Sequence, residues 1–159
     1  TDVAHLVFRD QIQGMFDHCM QRDIGDFVLK RADGQFAYQL AVVVDDAEQG
    51  ITHVVRGADL LNSTSRQILL QYTLSLPCPV YTHIPLVGNP DGNKLSKQTR
   101  ARPVSTDNAP EMLYRALQFL DMAPPADLRY QSLSAIWAWG LHYWELENVP
   151  KKLIIPMYE

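Results

Sequence analysis

Residues 51–88, ITHVVRGADLLNSTSRQILLQYTLSLPCPVYTHIPLVG, decide the fold. The β-branched segment ITHVVRG reads as a short strand that stops at Gly57. NSTSRQILLQYTLS then reads as a helix. Thr64 is placed to cap it, Gln67 three residues later completes a capping-box pattern, and Ile68, Leu69 and Tyr72 form one apolar face. VYTHIPLVG follows as a second strand and leads into GNPDGNKLSKQTRAR, residues 88–102. A strand, a helix and a strand in this order predict an α/β sheet with parallel elements. Such sheets bind ligands at the carboxyl ends of their strands, where the lysine-bearing loop begins.

Working outward from this segment, DFVLKR (26–31), the turn ADG (32–34) and QFAYQLAVVVDD (35–46) predict a strand, a tight turn and a second buried apolar run. HLVFRDQIQGMFDHCM (5–20) supports two readings. Phe8, Ile12, Met15, Phe16 and Cys19 fit a helical stripe, whereas Gly14 and the β-branched and aromatic content suit strands. Beyond Pro103, NAPEMLYRALQFL predicts a helix with Pro110 near its start and Leu113, Leu117 and Leu120 along one face. APPADLRY breaks the chain. SLSAIWAWGLHYWELENVP then predicts a helix with Leu133, Ile136, Trp137, Gly140, Leu141 and Trp144 on its core side, the tryptophans packing inward rather than forming a stacking platform.

The chain has 159 residues and a formal net charge of −4, with 14 Lys and Arg against 18 Asp and Glu. That balance excludes a uniformly basic nucleic-acid coat, so any contact with RNA must be local. Lys94, Lys97, Arg100 and Arg102 cluster in one loop, and Lys151 and Lys152 lie near the end. Cys19 and Cys78 are far apart, and His5, His18, His53, His83 and His142 are scattered, so neither a disulfide framework nor a zinc motif is indicated, and no metal is expected within this chain. No apolar run approaches membrane-spanning length, and the start TDVAHLVFRD has no signal-peptide pattern, so a soluble cytoplasmic protein with no membrane partner is expected. The absence of an initiator methionine suggests a processed or incomplete chain.

Three motifs agree in order and spacing: FAYQLAVVVDDAEQGITHVVRGADLLNSTSRQILLQ (36–71), YTHIPLV (81–87) and KLSKQ (94–98). Together they resemble the second half of the catalytic domain of class I glutamyl-tRNA synthetases, from about Gly25 to Gln98, with KLSKQ a variant of the KMSKS signature loop. Within that family the closer resemblance is to the shortened paralogues that attach glutamate to queuosine in tRNA(Asp). Ala58 in RGADLL stands where the tRNA-charging enzymes commonly carry an acidic residue, and WELENVP is similar to the paralogues' terminus. The resemblance implies the C-terminal part of a Rossmann-like nucleotide-binding domain over residues 1–103, including the KMSKS-like loop, followed by a helical region over 104–159. It also implies ATP with Mg2+, glutamate and queuosine-bearing tRNA(Asp) as cofactor and partners. The family's HIGH-like motif, part of its glutamate pocket and its frequent zinc site belong to an amino-terminal half that is not in this sequence. This chain alone is therefore expected to be an incomplete, inactive part of a ligase. A fragment of a tRNA-charging glutamyl-tRNA synthetase, or a non-catalytic nucleotide- or RNA-binding module, are the alternatives.

The same resemblance assigns roles to individual residues. Lys97 is the foremost catalytic candidate, meeting charge that develops on ATP as pyrophosphate leaves, with Lys94 and Ser96 assisting. Gly88, Asn89, Gly92 and Asn93 let the loop close. Tyr38 and Arg56 match the glutamate-binding tyrosine and arginine, a fork for a carboxylate and an uncharged hydroxyl beside it. The backbone around Leu86 and Val87 is implied to touch adenine. From composition alone, Tyr38 would be a core-edge tyrosine and Arg56 a surface arginine. Asp45 and Asp46 are read as a helix cap or turn rather than an acid–base pair, because consecutive strand residues face opposite ways. His83 and His53 are read as structural.

Overall fold

The structure is a computed structural model that describes residues 5–90, 92–95 and 106–156. Lys97 and Ser96 lie outside the described residues. The chain forms two compact units, residues 1–84 and 85–159.

The first unit opens with an antiparallel hairpin of β1 (His5–Asp10) and β2 (Gly14–Cys19), which resolves the open reading of this segment in favour of strands. Leu6, Phe8 and Asp10 alternate inward on β1, and Phe8 stacks on Phe16 across the pair with ring centroids 5.2 Å apart. Leu6 and Phe8 join Met20 and Leu61 in a core cluster lined by Phe16, Ile24, Ile68 and Leu69. Each large side chain buried this way contributes about 2 kcal/mol.

Residues 35–46 correct the strand expectation. The turn forms, with Gly34 at φ 86° and a single Lys30–Phe36 bridge, but most of the apolar run is α1 (Tyr38–Glu48). Only Val43 is fully buried on it, so one side faces the core rather than two sheet faces. Gly50 ends the helix. Its φ of 66° and the bonds from Gly50 N–H to Ala47 O and from Ile51 N–H to Asp46 O close a Schellman motif. Asp45 and Asp46 therefore lie in the last turns of α1, neither capping a later helix nor starting a turn.

β3 (His53–Gly57), α2 (Leu61–Thr73) and β4 (Val80–Ile84) build the expected strand–helix–strand unit, and β3 and β4 pair in parallel with Arg56 opposite His83. The capping expectation fails. A short 3-10 turn, Ala58–Leu60, leads into the helix, whose N-cap is Leu60, four residues before Thr64, so Thr64 and Gln67 fall inside α2 on its buried face. VYTHIPLVG is also not one strand: Pro85 separates β4 from β5 (Leu86–Gly88).

In the second unit β5 pairs in parallel with β6 (Ile154–Pro156), a strand absent from the helical reading of the tail. The helices α3 (Ala109–Phe119) and α4 (Leu133–Tyr143) form where expected, with Pro110 in the first turn of α3. They pack at Gly140, where a Cβ would stand 3.2 Å from Leu117 Cδ2. The core side of α4 is narrower than expected. Ile136 and Gly140 are buried, while Leu133, Trp137, Leu141 and Trp144 are exposed.

Candidate functional site

Asp10 occupies an inward position of β1, where alternation calls for an apolar side chain, and the structure surrounds its carboxylate with donors. Asp10 Oδ1 accepts from the N–H groups of Ile12 (3.0 Å), Gln13 (2.9 Å) and His83 (3.2 Å), and Asp10 Oδ2 lies 2.6 Å from His83 Nδ1. Both side chains are fully buried. Burial alone would raise the Asp10 pKa, but the hydrogen bonds from His83, Gln13 and Ile12 outweigh it and hold the carboxyl below its usual value.

The far side of the imidazole meets Arg56. Arg56 Nε donates to His83 Nε2 at 3.0 Å, and Arg56 Nη2 donates to Thr64 Oγ1 at 2.8 Å. The guanidinium lies 5.2 Å from the centroid of Tyr81, whose ring stacks on His83. Burial pushes the Tyr81 hydroxyl up to about 12 against the opposing hydrogen bond from Gln71, so this face stays uncharged. Arg56 and His83 are each the penultimate residue of their parallel strand, β3 and β4, so the network sits at the carboxyl ends where α/β sheets bind ligands. No partner holds Arg56 Nη1 among the described residues.

Tyr38 begins α1 and is half exposed. Its neighbour Gln39 ties that end of the helix to α2, donating to Ser63 Oγ at 2.9 Å and accepting from Gln67 Nε2 at 2.9 Å. Ser63 precedes Thr64, the anchor of Arg56. The first half of α2 is thus the common support for the two elements that carry Tyr38 and Arg56. His53 is exposed, its Nδ1 3.0 Å from Thr52 Oγ1.

In the second unit Leu86 N–H donates to Leu153 O and Val87 O accepts from Leu95 N–H, both at 2.9 Å, so these two groups are already engaged. Lys94 is exposed and follows a tight turn in which Asn89 and Asn93 bond each other and Gly92 takes φ 81°. A Cβ on Gly88 would stand 2.6 Å from Ile154 Cγ2, so any side chain here must displace Ile154. Arg115, Gln118, Phe119, Lys152 and Ile155 line a separate open cleft in this unit.

Sequence reading missed Asp10 and the anchoring role of Thr64. The signal for Asp10 was its parity, a carboxylate at the inward position of an alternating strand. Among the described residues no group of three or more His, Cys, Asp or Glu could hold a metal ion, and no helix is long and apolar enough to cross a membrane. The Mg2+ implied with ATP finds no ligand set there.

Residues 2–131 match the family model described as tRNA synthetases class I (E and Q), catalytic domain. The chain is 51% identical over 149 residues to the glutamyl-Q tRNA(Asp) synthetase of Pseudomonas fluorescens, covering 94% of this chain and 50% of that protein. It is 51% identical over 155 residues to that of Dechloromonas aromatica, covering 98% and 52%. A solved glutamate-tRNA synthetase from Elizabethkingia anophelis superposes with a TM-score of 0.68 at 28% identity, over 93% of this chain and 33% of that one. A glutamate tRNA ligase from Elizabethkingia meningosepticum, solved in complex with its amino acid, gives 0.70 at 25% identity with the same coverage. The chain spans about half the length of the curated relatives it matches. The mixed α/β architecture with its parallel β3–β4 pair is part of the Rossmann-like class I fold, and the chain belongs to the class I (E and Q) tRNA synthetase catalytic-domain family.

Proposed function

We propose that this chain supplies the carboxyl-terminal part of an enzyme that activates glutamate with ATP and transfers the glutamyl group to queuosine in tRNA(Asp). In the first step a carboxylate oxygen of glutamate attacks the α-phosphorus of ATP, forming glutamyl-adenylate and expelling pyrophosphate. The substrate carboxylate is itself the nucleophile, so no protein base is needed. Arg56 takes a carboxylate of glutamate and Tyr38 adds a hydroxyl hydrogen bond. Lys97, with Lys94 and Ser96, meets the charge on the phosphates, the backbone at Leu86 and Val87 lies against adenine, and Mg2+ enters as a companion of the nucleotide. Residues 1–103 act as the second half of the catalytic domain and 104–159 as its appendage, in the cytoplasm, where charged tRNA is used.

The single observation that carries this reading is Arg56, a cation held at the carboxyl end of a parallel strand with one terminal nitrogen unengaged among the described residues. The queuosine acceptor is favoured over the tRNA terminus by the names of the curated relatives at 51% identity. The test uses the protein at the full length of those relatives. Glutamate-dependent exchange of labelled pyrophosphate into ATP is expected, with labelled glutamate then found on the queuosine base. Label on the terminal ribose would identify a tRNA-charging enzyme. Absence of exchange by folded protein would leave a binding module.

A further inference from the structure

The imidazole of His83 stands between an anion and a cation, and its protonation state follows from its partners. An arginine Nε–H can only donate, so His83 Nε2, 3.0 Å away, must be the accepting nitrogen. The proton then belongs to Nδ1 and is donated to Asp10 Oδ2. The reverse tautomer would set two N–H groups head to head and leave the buried carboxylate facing a lone pair. Asp10 holds the ring in this state because three further N–H bonds keep its carboxylate charged and in place. Thr64 closes the arrangement from α2 through Arg56 Nη2.

We infer that Asp10 and His83 are positioning residues for amino-acid recognition: they engage Arg56 through Nε, so that its Nη1 end, and not its Nε side, is presented to the carboxylate of the substrate. This rests on the proposed glutamate activation and adds how the arginine is aimed. A guanidinium can pair with a carboxylate through Nε and Nη2 or through its two terminal nitrogens. With Nε committed to His83, and Nη2 to Thr64 Oγ1 and, at 3.5 Å, to Leu60 O, Nη1 is the nitrogen left for the substrate. A flexible arginine would have to lose several rotamers on binding, and the relay removes that cost beforehand.

Two substitutions separate aiming from folding, since an Asn amide matches the place of imidazole Nδ1 and a Gln amide reaches that of Nε2. His83→Asn keeps a donor for Asp10 and removes the acceptor for Arg56. His83→Gln restores that acceptor and weakens the bond to Asp10. In pyrophosphate exchange by the full-length protein, His83→Asn is expected to raise the KM for glutamate about tenfold with the KM for ATP unchanged, while His83→Gln brings the glutamate KM back toward wild type. Thermal melting should rank the variants the other way, His83→Gln below His83→Asn. Equal glutamate KM values in both variants and wild type, or KM changes that simply follow melting temperature, would overturn the inference. Nitrogen-15 NMR of the wild-type protein tests the relay without activity. A His83 ring protonated at Nδ1, with Arg56 Nε–H coupled across to Nε2, is expected, and a ring protonated at Nε2 would overturn it. Loss of exchange in the wild type would reject the glutamate reading while leaving the NMR result standing.

Discussion

Arg56 is held at Nε by His83 and at Nη2 by Thr64. Removing the fork in Arg56→Ala should raise the KM for glutamate about a hundredfold, equivalent to about 3 kcal/mol, with a much smaller effect on ATP. Lys97→Ala should instead lower the rate of exchange about a hundredfold without shifting the melting temperature. Initial rates at varied glutamate and ATP distinguish the two. Asp10 has a stability role that depends on pH. Its folded pKa lies below the ordinary value of 3.8, so its contribution is complete above about pH 4 and is lost as pH falls through the lower folded value. Asp10→Asn should therefore be about 2 kcal/mol less stable at pH 7, and the gap to wild type should narrow progressively once the pH falls below about 4, as a series of urea melts from pH 7 downward would show.

At the scale of elements, the sequence was most legible where punctuation and pattern agreed. Pro110 marked the start of α3, and the strand–helix–strand order around α2 held. It misled where pattern stood alone. The run AVVVDD has strand composition, yet it lies in α1 because Gly50 ends a helix there and one face, at Val43, suffices to dock it. On α4 the apolar stripe is real but wider than its contact. Gly140 lets α3 approach at Leu117, Ile136 is fully buried, and Trp137 and Leu141 are left outside. The β5–β6 pair depends on a glycine in the same way. Gly88→Ala should cost about 1–3 kcal/mol, read by thermal melting, because its Cβ would overlap the stiff β-branched Ile154.

At the scale of the whole molecule, the chain spans about half the length of the curated relatives it matches. Because the chain covers about half of the glutamyl-Q tRNA(Asp) synthetases it matches, the 159 residues alone should give no glutamate-dependent exchange, while protein of the relatives' full length should give it. Exchange by the short chain would show that its own residues complete the site. Family and fold class were readable from the sequence, because motifs and their spacing are properties of the chain order itself. The Asp10–His83–Arg56 relay was not. Its members lie 27 to 73 positions apart. Only the pairing of β3 with β4 and the packing of β1 beside β4 bring them together, and hydrogen bonds act over about 3 Å in space regardless of distance along the chain.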